Sequence, residues 1–262
     1  MRDPNLTNIV SKVPQVTLAF WIVKILATTL GETGGDAVTM SWLGETTAEP
    51  TVNGYLIGTA IFGVIFAVAV LVQIKAKKFH PFLYWLTIVA TTTVGTTLAD
   101  YCTRSLGIGY TGGSTILLIL VIASLLIWRW STGSISIETV NTPKVEVFYW
   151  VTIMFSQTLG TALGDWVAET HDMGYVAAAA VFGGLLLVTA LLYYFTSISR
   201  VILFWAAFIL TRPLGAVVGD FLDKPLTKGG LALSRYTASL ALLLVIVVLI
   251  LIFPQKPASR AH

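Results

Sequence analysis

Long apolar runs alternate along the chain with short polar connections. Eight runs stand out, at residues 16–30, 55–74, 82–99, 115–130, 147–163, 175–195, 201–218 and 231–253. Most approach the ~20 residues that a helix needs to cross a ~30 Å hydrocarbon core. The even-numbered runs are apolar almost throughout. Glycines and polar residues interrupt the second halves of the odd-numbered ones. If those helices continue through the interruptions, all eight span, which predicts an all-α integral membrane fold with both ends on one side.

The interruptions are themselves ordered. Four segments align without gaps: Trp21 to Asp36, Trp85 to Asp100, Trp150 to Asp165 and Trp205 to Asp220. In each, a glycine follows the tryptophan by ten residues (Gly31, Gly95, Gly160, Gly215) and the aspartate by fifteen. A small residue precedes every aspartate: Gly35, Ala99, Gly164 and Gly219. The shared word is W-x9-G-x3-[GA]-D, once per odd helix. Recurrence at fixed spacing marks tandem duplication. The chain therefore reads as one membrane domain of four αα-hairpin repeats, at 12–78, 79–130, 144–195 and 199–253.

Helical geometry gives the repeat a face. At 100° per residue, positions 7, 11 and 15 after the tryptophan share one side, and positions 10 and 14 flank it. That face carries Thr28, Glu32 and Asp36 in the first unit, and Thr92, Thr96 and Asp100 in the second. It carries Gln157, Thr161 and Asp165 in the third, and Arg212, Ala216 and Asp220 in the fourth. Lys24 joins it one turn earlier. The flanking small residues form a small-xxx-small patch that lets helices approach closely. A polar stripe on an apolar helix must face protein or water, so the odd helices are expected inside and the even helices outside. With the tryptophans as interfacial anchors, fifteen residues of rise, about 22 Å, place the aspartates deep in the membrane.

Composition supports the bilayer as solvent. Hydrophobic residues make up 56% of the 262 and charged residues 11%, less than half the ~25% of a soluble domain. The net charge of +3 is not gathered on a soluble module, so a nucleic-acid partner is not expected. A single cysteine, Cys102, excludes an intrachain disulfide or a multi-thiolate metal site and reads as a small buried hydrophobe. No cleavable signal peptide is evident before the first run. His80, His171 and His262 fall in loops or tails.

Basic residues set the orientation. Ten lie on the side of the termini: Arg2, Lys12, Lys75, Lys77, Lys78, Arg129, Lys144, Arg200, Lys256 and Arg260. Only four lie opposite, Arg104, Lys224, Lys228 and Arg235, together with Glu45, Glu49, Glu169, Asp172 and Asp223. The positive-inside rule then predicts cytoplasmic termini in a bacterial inner membrane.

Intramembrane acids are costly and usually functional. Asp36, Asp100, Asp165, Asp220 and Glu32 oppose Lys24 and Arg212, for a net −3 if all ionise. That favours a cation. The available ligands are carboxylates, threonine hydroxyls (Thr28, Thr92, Thr96, Thr161), the Gln157 amide and backbone carbonyls, which suit Mg²⁺, Mn²⁺ or Ca²⁺ better than Cu⁺ or Zn²⁺. Clustered carboxylates also suit proton exchange. There is no nucleophile–base pair, HExxH, phosphate loop or flavin fingerprint, so neither an enzyme nor a bound cofactor is expected. Arg212 reads either as a structural counter-ion or as a gate, and Glu32 as a specialised ligand or as the partner of Lys24.

The four W-x9-G-x3-[GA]-D units resemble a bacterial family of multi-pass proteins described as uncharacterised membrane-anchored proteins, over residues 12–253. The resemblance implies fold and membrane location. The stretch Glu32-Thr33-Gly34-Gly35-Asp36 is also similar to the E-x-G-D signature of Mn²⁺/Ca²⁺ exporters, departing from it by an extra glycine, by lacking the following lysine and by its four two-helix units. The expectation is a secondary transporter, an exporter of a hard divalent cation in exchange for protons. The alternatives are a passive cation channel, or a membrane sensor or assembly protein whose polar core only specifies packing.

Overall fold

The computed structural model describes residues 10–45, 52–170 and 173–258. Met1, Arg2, Glu49, His171, Asp172, Arg260 and His262 lie outside them. Eight α-helices follow one another: α1 (Leu18–Asp36), α2 (Gly54–Lys75), α3 (Pro81–Asp100), α4 (Gly109–Thr132), α5 (Pro143–Thr170), α6 (Gly174–Phe195), α7 (Arg200–Asp223) and α8 (Arg235–Ile252). Their starts are legible locally. The Thr17 hydroxyl accepts from the Phe20 amide and Asn53 Oδ1 from the Leu56 amide, satisfying donors that a helix N-terminus leaves free. Proline opens α3 and α5, where its missing N–H costs nothing.

The odd helices run straight through their glycines. Beyond the aspartates, α1 and α3 continue as π-helical turns, Ala37–Trp42 and Tyr101–Ser105. Six helices are long and apolar enough to cross a membrane: α2, α3 with its extension, α4, α6, α7 and α8. The other two, α1 and α5, carry buried charge (Lys24, Glu32 and Asp36; Glu146 and Asp165) and occupy ring positions equivalent to α3 and α7.

The odd helices contact one another in a closed ring, α1–α3–α5–α7–α1. Each even helix leaves its own unit and packs mainly on the odd helix of the next: α2 on α3, α4 on α5, α6 on α7, and α8 back on α1. In the even helices only 17–28% of the apolar window is buried, against 72% in α3 and 50% in α7. The inner ring therefore holds the polar core, and the outer helices present apolar side chains outward.

The end of the ring nearest the termini is closed by aromatic side chains. Tyr84 and Tyr149 share a hydrogen bond of 2.6 Å between their hydroxyls. Around them stack Phe20, Trp85, Trp128, Trp150 and Trp205. Three of the four repeat tryptophans are enclosed by protein: Trp85, Trp150 and Trp205 are only 1%, 2% and 3% exposed, while Trp21 is half-buried. The reason is that backbone from both ends folds beneath them. Lys12 N donates to Val140 O, Gln15 N to Lys256 O and Ala258 N to Val13 O, each at 2.8 Å. The Lys12 ammonium, 2.6 Å from Glu146 and 2.9 Å from the Ile74 carbonyl, pins this cover to α5 and α2.

Candidate functional site

The glycine ten residues after each tryptophan is a socket for the next unit. A Cβ on Gly31 would collide with Thr92, on Gly95 with Gln157, on Gly160 with Arg212 and on Gly215 with Thr28. The residues received are those at position 7 of units two, three, four and one. The contacts thus run once around the ring in a single sense. One turn further on, Gly35 receives Thr96, Gly164 receives Ala216 and Gly219 receives Glu32, the residues at position 11. Except at Gly164, which receives Ala216, the side chains that these glycines admit are polar or charged ones.

At position 11 the ring interior is filled by Arg212. Its Nη2 lies 2.9 Å from Glu32 Oε2 and 2.6 Å from Thr96 Oγ1, and also donates to Thr161 Oγ1. These acceptors are the position-11 side chains of the three other units, and Ala216 of unit four leaves the room for it. Arg212 is thus the counter-ion of Glu32. Lys24 is apart from them. Fully buried, it reaches Thr211 Oγ1 at 3.4 Å and lies 4.1 Å above the Phe208 ring. It has no carboxylate partner among the described residues, so the expected Lys24–Glu32 pair does not form. Thr28 bonds to backbone carbonyls, including that of Thr211 at 3.2 Å. Thr92 Oγ1 and both polar atoms of the Gln157 amide are buried without a hydrogen-bond partner.

The four aspartates come together one turn beyond, all 0–2% exposed. They are paired two by two. Arg104 Nε lies 2.9 Å from Asp100 Oδ1, and its Nη2 lies 3.0 Å from Asp165 Oδ2 and 3.4 Å from Glu169 Oε1. Lys224 Nζ lies 2.9 Å from Asp220 Oδ1 and is ion-paired with Asp36. Each cation sits four residues after the aspartate of its own unit and bridges to the aspartate of the next. Units two and four supply the cations, while units one and three place Met40 and Glu169 there. The four-fold pattern is therefore a two-fold one in charge.

This changes the expected balance of charge. Arg104 and Lys224, read from sequence as loop residues, belong to the aspartate layer, as do Asp223, Glu169 and Arg235. Seven acids (the four aspartates, Glu32, Glu169, Asp223) now face five bases (Lys24, Arg104, Arg212, Lys224, Arg235), for −2 if all ionise, rather than −3. Two carboxylate triads are compact enough to hold a metal ion, Glu32–Asp165–Asp220 and Asp36–Asp220–Asp223, with one oxygen from each residue within 4.8 Å of the others. Asp100 is in neither. An all-oxygen donor set of this kind matches hard divalent cations. Above the layer opens a cavity of about 540 Å³, lined among others by Met40, Arg104, Glu169, Asp223, Lys224 and Arg235.

An all-helical protein with four tandem two-helix units, membrane-length helices and a charged ring interior is the class that fold and site define. The chain belongs to the family described as Repeat of Unknown Function (DUF347), whose model matches residues 19–79, 83–134, 148–199 and 203–256. No curated protein and no solved structure matches it.

Proposed function

We propose that the protein is a secondary transporter of a hard divalent cation such as Mn²⁺, Mg²⁺ or Ca²⁺, an exporter coupled to protons through its embedded carboxylates, and not an enzyme. In this reading all eight helices cross a bacterial inner membrane, the termini are cytoplasmic and the cavity faces outward. The observation that carries it is the convergence of one buried aspartate from each repeat at a single level beneath that cavity. The partners are lipid, the cation and protons.

Two features favour a carrier over a passive channel. Arg212 bonds to all three other units inside the ring, and the aromatic layer closes the opposite end. A carrier needs such closure on one side at a time. The internal ion pairs favour a second reading, in which the polar core only specifies helix packing. Purified protein in liposomes separates the two: uptake of Mn²⁺ driven by an imposed pH gradient supports transport. Asp36→Asn and Asp220→Asn should reduce that flux to the level of empty liposomes while expression survives. Unchanged flux in both variants, or no flux with any of the three cations in the wild type, would overturn the proposal.

A further inference from the structure

Four basic side chains are ion-paired with acids of the core and differ in how firmly they are held; Arg235, at the cavity rim, contacts Asp223 Oδ2 at 3.1 Å. Arg212 lies in mid-helix and is fully buried. Arg104 spans three carboxylates with two different nitrogens. Lys224 is different: it follows the last residue of α7, lines the cavity and offers only a single flexible ammonium. Its backbone is fixed, because its carbonyl accepts from the Ala232 amide at 2.9 Å and Gly230 packs against it. Any displacement of the ammonium is therefore left to the side chain, which ends at the cavity.

The ammonium of Lys224 stands within one of the two carboxylate triads that can hold a metal, ion-paired with Asp36, 2.9 Å from Asp220 and 3.9 Å from Asp223. It does not saturate that triad. Asp36 Oδ1 and Asp220 Oδ2 have no hydrogen-bond partner, although the two residues are 0% and 1% exposed. Buried charged oxygens without partners are expensive, and an ammonium has only three donors to give. A divalent cation accepts six or more oxygens, the remainder supplied by water from the cavity.

We infer that Asp36, Asp220 and Asp223 form an exchange site in which Lys224 is a tethered resident cation, displaced into the cavity by an incoming divalent ion. This rests on the cation-transport reading and adds Asp223 and Lys224 to it. The tether keeps the layer neutralised between ions and sets the affinity low enough for release. Lys224 and the metal compete for the same oxygens, so removing the amine strengthens binding.

The experiment uses the purified full-length chain with Mn²⁺ as probe. In detergent, Lys224→Met should bind Mn²⁺ about tenfold tighter than wild type, some 1.4 kcal/mol, and adding Asp223→Asn should abolish the gain. In liposomes, Mn²⁺ should raise labelling of wild-type Lys224 by a membrane-impermeant amine reagent, relative to exposed Lys228. The labelling decides the matter if Lys224→Met does not fold. Binding no tighter in a folded Lys224→Met, or Lys224 labelling unchanged or lowered by Mn²⁺, overturns the exchange site. Wild-type flux alongside those results leaves the transport reading standing. Both expected changes without flux keep the site and sink transport instead.

Discussion

Arg212 reaches the ring interior through the space that Gly160 leaves open: a Cβ on Gly160 would fall on the Cβ and Cγ of Arg212 and within 3.0 Å of Pro213 Cδ. The glycine on α5 and the arginine on α7 are thus one device. Without the first, the second has no route to Glu32, Thr96 and Thr161.

Gly160→Ala should therefore lower stability by about 1–3 kcal/mol, the usual cost of overpacking, and it should do so through Arg212. Gly183→Ala is the control. Nothing lies within 4 Å of a Cβ there, and exchanging a mid-helix glycine for alanine gains up to ~1 kcal/mol. Melting in detergent should move in opposite directions for the two variants, and equal shifts would remove the packing argument.

Arg212→Ala strands Glu32 in the core and should cost about 3–5 kcal/mol, as expected when one partner of a buried pair is removed. Arg212→Lys should be partly tolerated, since a cation remains. Adding Glu32→Gln to Arg212→Ala should recover part of the loss. A wild-type melting curve for Arg212→Ala would show that the pair contributes nothing.

Topology can be read by cysteine labelling in a Cys102→Ala background. Cysteines at Thr111 and Lys228 should react with an impermeant reagent from outside, and one at Lys77 should not. All three positions are exposed in the structure. Reaction of Lys77→Cys from the periplasmic side would reverse the orientation. Arg104, Lys224 and Arg235 are all ion-paired with acids of the aspartate layer, which leaves Lys228 as the exposed base lining the cavity.

Much of this architecture is legible in the repeat word. The glycine at position 10 and the small residue at position 14 foretell close approach, and the stripe at positions 7, 11 and 15 foretells which side chains meet inside. Arg104 and Lys224 escape because the word ends at the aspartate and the polar residues beyond it have the composition of a loop. The helices in fact continue, so position 19 stays on the same face as position 15. The signal was present as an acid–base pair four residues apart, Asp100–Arg104 and Asp220–Lys224, in alternate units only. The enclosure of Trp85, Trp150 and Trp205 escapes for a different reason. Lipid and a covering layer of backbone accept an indole equally well, and no local pattern distinguishes them. Lys24 shares the stripe of Glu32 but lies two turns away, too far along the axis to reach it, so Arg212 from the neighbouring helix takes its place.

The contact between α7 and α1 that closes the ring also brings residues 13–15 and 256–258 side by side, with Pro14 and Pro257 bridged antiparallel. The cyclic order of the four units then does not depend on which unit comes first. A circular permutant that links residue 258 to residue 10 and opens the exposed connection between Phe195 and Arg200 keeps every interior contact, since such surface loops tolerate new ends. It should melt close to the parent and retain its Mn²⁺ response. A permutant opened inside α7 should not fold, because that cut severs the strut carrying both Arg212 and Asp220.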